Sequence, residues 1–214
     1  MLCQPTCGKV LKIVQLLESG ATGTLSMVCM IANRLAQDGH DVHVIHPVRD
    51  DTLTDLRTLF HKDVVLRHVQ MKSARVLSVV AEVRAALKAI EPDIVHLHSS
   101  FMGFLGRTAA MFSFCGTAFC YSPHCISFMR RDVSMLRRLA FAGLELIGHA
   151  KGCLCIACSR SERVAIRTCL RRPVTVIENA VPGAPAASLE KTPCDTMARG
   201  CIVAVGGIRA QQNP

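Results

Sequence analysis

The chain has 214 residues, 50% of them hydrophobic and 19% charged, which is the composition of a globular chain with one full core and room to begin a second, and excludes disorder. Its net charge of +9 favours anionic partners such as nucleic acid, phosphorylated sugars or the surface of an acidic bilayer. One Tyr, eight Phe and no Trp argue against a base-stacking nucleic-acid platform, which needs exposed aromatics beside its cations, so no nucleic-acid partner is expected.

The N-terminus, MLCQPTCGKVLKIVQLL, lacks the basic start, long apolar core and small-residue cleavage site of a secretion signal. Ile13, Val14, Leu16 and Leu17 then form a short apolar run, typical of a parallel strand buried on both faces. Gly20 and Gly23 follow in a turn, where they tolerate positive φ and let a ligand approach the backbone. From Thr24, apolar residues recur at Leu25, Val28, Ile31, Ala32 and Leu35 with helical spacing, and Gly39 is placed as the residue just past the helix. Val42, Val44 and Ile45 return as a second strand. A helix that starts at the carboxyl end of a buried strand aims unpaired N–H groups and a positive dipole end above the turn, so Gly20, Gly23 and Thr24 suit an anionic guest. A dinucleotide fits poorly. The turn is G-A-T-G-T and not G-x-G-x-x-G, and the second strand ends in His46-Pro47 with no acidic residue for the ribose hydroxyls. The plainer reading is a glycine pair that only permits a tight turn.

Beyond a polar connection, Val64 to Val69 is expected to be a third strand, and Ser73 to Glu91 an amphipathic helix with Val76, Val79, Val80, Val83, Leu87 and Ile90 on one face and Pro92 as its stop. Residues 93 to 98 (DIVHLH) form the next strand, 101 to 114 a helix with small residues suited to close packing, and 118 to 122 another strand ending at Pro123-His124. A long helix over 132 to 150 has arginines 130, 131, 137 and 138 at its start. A strand at 153 to 157, a short helix capped by Ser159 and a strand at 174 to 177 ending in Glu178-Asn179 complete the set. The uncharged stretch from Thr108 to Met129 holds Gly116 and Pro123, so helix, turn and strand explain it better than a membrane span.

Twelve cysteines are scattered, most of them through apolar runs, as at Cys29, Cys115, Cys120, Cys153, Cys155, Cys169 and Cys201. Cys153, Cys155 and Cys158 would be the ligands of a zinc site, but CLCIAC alternates like a strand and no second ligand pair follows, so buried reduced thiols in the cytoplasm are expected.

Strands alternating with helices imply an α/β fold with a doubly wound, mostly parallel, Rossmann-like sheet, whose ligands bind over the carboxyl ends of the strands. Gly20, Gly23, His98, Ser99, His124, Ser159, Glu178 and Asn179 all stand just past strands and are expected to line one crevice. His96 and His98 share a strand face, on which His96 is read as packed and His98 as either packed or in the crevice. Residues 9–183 form this domain, 184–200 read as a Pro- and Ala-rich linker, and 201–214, opening with Cys201-Ile-Val-Ala-Val205 and Gly206-Gly207, as the start of a second domain cut short.

In this order the motifs resemble the glycosyltransferases of family four and their two-domain GT-B architecture. The likeness rests on the glycine loop and helix ending in residues 35 to 42 (LAQDGHDV), on 93 to 98 (DIVHLH) and on Ser122-Pro123-His124. It rests also on 157 to 162 (ACSRSE), 176 to 181 (VIENAV) and 205 to 208 (VGGI). The resemblance implies a retaining glycosyltransferase represented by its N-terminal, acceptor-side half. The glycine loop would lie near the diphosphate of a nucleotide-sugar donor, and His124 would hydrogen-bond the sugar or stabilise charge at the reacting centre. The acceptor would be a glycan or lipid-linked sugar, with no cofactor and no metal. Arg130, Arg131, Ser159, Glu178, Asn179, His98 and Ser99 would face the acceptor or cleft, the arginines being either a solvated helix start or a contact with an anionic acceptor or the inner face of the cell membrane. The sequence departs from the family at Gly207 and Gln212, where an Arg and a Lys that neutralise the leaving diphosphate are usual. Little turnover is expected of this half alone. Two other readings stay open: a non-catalytic remnant that holds acceptor or anion, and an NAD-dependent dehydrogenase or epimerase.

Overall fold

A computed structural model of the chain describes residues 9–18, 23–47, 55–69, 76–110, 116–124, 134–148 and 152–179. Its elements in chain order are β1 (Lys12–Leu16), α1 (Gly23–Gln37), β2 (Asp41–Pro47), a short 3-10 helix (Leu56–Leu59) and β3 (Val65–Val69). They continue with α2 (Val76–Ile90), β4 (Ile94–His98), α3 (Ser100–Ala110), β5 (Ala118–Ser122), α4 (Met135–Gly148), β6 (Leu154–Ala157), α5 (Arg160–Leu170) and β7 (Val174–Val176). The expected linker 184–200, the second-domain residues 201–214, and Gly20, Arg130 and Arg131 lie outside the described residues.

The strands pair in parallel in the order β3-β2-β1-β4-β5-β6-β7. From β1 the chain first winds outward through β2 and β3, then crosses back to β4 and winds the other way. Right-handed crossovers therefore put α1 on one face and α2, α3 and α5 on the other. Leu25, Val28 and Ala32 of α1 pack on Leu17, Val42 and Val44. On the opposite face Val79, Val83 and Leu87 of α2 and Met102, Leu105 and Ala109 of α3 cover Val14, Leu16, Val95, Leu97 and Tyr121. The reversal between β1 and β4 is the topological switch point, where doubly wound sheets open a crevice at their carboxyl edge.

Local chemistry sets the element ends. Gly39 takes φ +86°, its N–H donates to the Ala36 carbonyl at 3.0 Å and the His40 N–H to the Leu35 carbonyl at 3.1 Å, a Schellman closure of α1. α2 buries Val79, Val83, Leu87 and Ile90, spaced to share one face, while Val76 at its first turn is exposed. The small residues of α3 act through contact: a Cβ on Gly103 would lie 2.4 Å from the Tyr121 ring, and one on Gly106 would lie 2.5 Å from Leu97 Cδ2 and 2.7 Å from Leu16 Cδ2. α3 thus sits directly across the seam between β1, β4 and β5. At the opposite edge Asp93 ties that seam, accepting from the Lys12 N–H at 2.9 Å and pairing with Lys9 at 3.3 Å. Among the described residues, no helix is long and apolar enough to cross a membrane.

Candidate active site

At the carboxyl edge, three neighbouring strands deliver side chains to the switch point. The polar residue that interrupts the apolar run of β1, Gln15, is level with His96 of β4, and His96 is level with Cys120 of β5. In a parallel sheet residues in register share a face, so Gln15, His96, His98 and Ser122 project to the same side. There they join. His98 Nε2 lies 2.7 Å from Gln15 Oε1 and His98 Nδ1 lies 2.9 Å from His124 Nε2. His96 Nε2 lies 2.9 Å from Ser122 Oγ, with its ring centroid 4.0 Å from that of His98. His98 is 0% exposed, whereas His124 is half-buried and stands at the outer end of the chain of imidazoles.

The backbone is held in sparsely populated conformations at the two turns that frame this cluster. Ser99 and His124, just past β4 and β5, adopt φ of +68° and +55°, the left-handed region that side chains other than glycine occupy at a cost of order 1–3 kcal/mol. Ser99 is fixed by three bonds: its N–H donates to the Ser122 carbonyl at 3.1 Å, its carbonyl accepts from Gly103 at 2.9 Å, and its hydroxyl donates to Glu18 at 2.5 Å. Glu18 follows β1, so this last bond spans the switch point.

Burial sets the charge state. It pushes His96 down to about 4 and His98 well below the ordinary imidazole value, and the neighbouring histidines add to both effects. His124 is also lowered by burial, partly offset by the Glu162 carboxylate. Near neutral pH the cluster is uncharged, and α1, α3 and α5 each begin at this edge of the sheet, with the positive ends of their dipoles toward it.

The candidate residues divide by position. Gly23 is the first residue of α1 and exposed, and among the described residues nothing beyond its own helix and chain neighbours lies within 4 Å of a would-be Cβ; Thr24 follows it half-buried. His98, Ser99 and His124 stand together at the carboxyl ends of β4 and β5. Ser159 is instead the N-cap of α5, accepting from the Glu162 N–H at 3.1 Å. Glu178 and Asn179 are exposed past β7, three strand spacings or roughly 14 Å from β4. Gln15, Glu18 and Glu162 were not singled out as site residues in the sequence; the signal for Gln15 was a lone amide in an apolar strand. Cys153 and Cys155 are free thiols that burial pushes up to about 12, and Cys158 donates through its N–H at 2.7 Å and its thiol at 3.0 Å to Glu162. Among the described residues no group of three or more His, Cys, Asp or Glu is placed to hold a metal ion.

A doubly wound sheet with polar side chains gathered at its switch point suits many chemistries, and comparison with known proteins narrows them. The model of Glycosyltransferase Family 4 matches residues 22–182. The chain belongs to glycosyltransferase family 4. No curated protein matches the sequence. Among solved structures, a glycosyltransferase from Rickettsia africae is similar with a TM-score of 0.58 at 17% identity, over 81% of this chain and 44% of that one. A UDP-GlcNAc 2-epimerase from Neisseria meningitidis, solved bound to UDP-GlcNAc, gives 0.54 at 12%, over 79% and 47%. MurG from Acinetobacter baumannii gives 0.52 at 14%, over 78% and 45%. At these identities the likeness is one of fold. The family 4 chain spans less than half the length of each, and its parallel sheet corresponds to one Rossmann-like half of the GT-B architecture. The nicotinamide reading loses its footing in both family and site: at the end of β2, His46 is 0% exposed and its Nδ1 is 3.2 Å from the Pro47 carbonyl, where a dinucleotide site carries a carboxylate.

Proposed function

We propose that the protein transfers a glycosyl group, with retention, from a nucleotide-diphosphate sugar to a hydroxyl of a glycan or lipid-linked sugar, and that this chain supplies the acceptor-side wall of the cleft. The observation that carries the reading is the junction of His124 with His98 at the carboxyl edge of the sheet, the edge at which α1 begins, in a chain of family 4. The diphosphate would meet the first N–H groups of α1 at Gly23 and Thr24, where a fixed dipole favours the charge that develops on the leaving group. His124, neutral near pH 7, would hydrogen-bond a sugar hydroxyl instead of acting as a cation. Attack by the acceptor hydroxyl on the face the diphosphate leaves would retain the anomeric configuration, and the scheme uses no metal or cofactor. That a structural neighbour is bound to UDP-GlcNAc supports a uridine nucleotide-sugar as the donor to try first.

The acceptor's location has its own support. Met135, Leu136 and Leu139 of α4 are 75%, 79% and 61% exposed, and Arg137 and Arg138 beside them are exposed too. Apolar and cationic side chains on one helix suit a lipid-linked acceptor at an anionic bilayer, on the cytoplasmic side given the free thiols. Co-sedimentation with phosphatidylglycerol vesicles, but not phosphatidylcholine vesicles, is the expected result.

The deciding experiment joins the chain to a donor-binding half and measures sugar transfer. His124→Ala should lower turnover at least about tenfold, equivalent to ~1.4 kcal/mol of barrier. Unchanged turnover would remove His124 from the mechanism, and binding of acceptor without transfer would favour a non-catalytic remnant.

A further inference from the structure

Each ring nitrogen of His98 has a partner, and the orientation of the Gln15 amide, oxygen toward His98, sets the proton position. A neutral imidazole carries one N–H and one lone pair. The Gln15 carbonyl oxygen, 2.7 Å from His98 Nε2, can only accept, so Nε2 must hold the proton. His98 Nδ1 is then a lone pair, and His124 Nε2, 2.9 Å away, must donate to it. His124 is thereby left with its lone pair on Nδ1.

We infer that Gln15 and His98 are positioning residues: they lock His124 as its Nε2–H tautomer, so that its second nitrogen, Nδ1, can accept a hydrogen bond and cannot donate one. The consequence is a specificity rule. A lone pair on Nδ1 welcomes a hydroxyl group and repels a phosphate oxygen, so His124 receives a sugar or acceptor O–H while the diphosphate is left to the helix N-termini.

The surroundings agree with a neutral chain. His98 is 0% exposed, which disfavours the imidazolium that would let both its nitrogens donate. Of the other titratable groups at the cluster, His96 bonds Ser122 and Glu18 accepts from Ser99, while Glu162 accepts from the Cys158 N–H and thiol and its charge partly offsets the burial of His124. Burial lowers all three imidazoles, in line with the geometry.

The specificity rule rests on the transfer reading, but the tautomers do not, so the two are tested apart. Long-range proton–nitrogen NMR spectra of the 214-residue chain with labelled histidine, recorded without substrate near pH 7.5, should show both His98 and His124 as Nε2–H. An Nδ1–H His124, or a rapid mixture of tautomers, would overturn the lock. Gln15→Glu should invert it: a carboxylate holds His98 as imidazolium, both its nitrogens donate, and His124 moves its proton to Nδ1. Gln15→Met, matched in size but without an acceptor, should release His124 to a mixture. A His124 signal unchanged in both variants would show that Gln15 plays no positioning part. If the wild-type tautomers hold and no sugar is transferred with a donor half present, the transfer reading falls and the lock stands.

Discussion

Arg107 of α3 and Glu145 of α4 meet at 2.8 Å with only 2% and 5% of their side chains exposed. Tyr121 of β5 donates its hydroxyl to the second carboxylate oxygen at 2.7 Å, and its ring lies 4.2 Å from the guanidinium carbon. Arg107 Nε donates to the Gly103 carbonyl at 2.9 Å, while Nη1 has no hydrogen-bond partner among the described residues. Removing one partner strands a buried charge, so Arg107→Leu should cost about 3–5 kcal/mol. Replacing the set together, with Arg107→Met, Glu145→Leu and Tyr121→Phe, should cost much less. Urea unfolding of both variants checks this, and a triple variant as unstable as the single one would contradict it.

Gly103 tests the close approach of α3. Its missing Cβ is what admits the Tyr121 ring, and the ring is fully buried and tied to Glu145. Gly103→Ala gains helix propensity of under about 1 kcal/mol but overpacks a rigid contact, at about 1–3 kcal/mol. The expected net result is destabilisation, read as a lower urea midpoint. A stabilised variant would mean that the helix can lift off the sheet freely.

The buried imidazoles make folding sensitive to acid. His96 is pushed down to about 4, and His98, His124 and His46 are also lowered, in each case chiefly by burial. The unfolded chain binds protons near 6.5 that the folded chain refuses, so this stability is fully present above pH 6.5 and is lost as pH falls from 6.5 toward about 4. Each such group contributes a slope of up to about 1.4 kcal/mol per pH unit in that window. Urea midpoints that stay flat between pH 7.5 and 4.5 would show that the histidines are not buried as described.

Ser159 closes the N-terminus of α5 together with Glu162, which accepts in return from the Cys158 N–H at 2.7 Å. Ser159→Ala should cost about 1 kcal/mol, and Ser159→Asp should restore most of it. Equal losses in the two variants, read from thermal unfolding, would point to a role other than capping.

The local grammar of the chain was open to reading. Periodicity placed α1 and α2, Gly39 and Pro92 marked their ends, and short apolar runs marked the strands, because spacing and backbone preference act over a few residues. Some local features escaped. The 3-10 helix at Leu56–Leu59 has no spacing signal of its own, and Val76, counted on the buried face of α2, is 43% exposed because its turn begins before the core does. The candidate site was half legible: the places of His124, His98 and Ser99 at strand ends could be read from the sequence, whereas the contacts that Gln15 and Glu18 make with His98 and Ser99 could not.

By itself, then, the sequence determined the alternating strands and helices, the parallel sheet they imply and the family to which the chain belongs, since each of these follows from patterns within or between neighbouring elements. Only the tertiary structure decided that Gln15 meets His98 across 83 residues of chain and that His98 meets His124. It also decided that Arg107 is buried against Glu145 and not solvated. These are contacts between elements whose register is fixed by packing of the whole sheet. A proton position, and the choice between donating and accepting a hydrogen bond, depends on a separation of tenths of an ångström that no local pattern encodes.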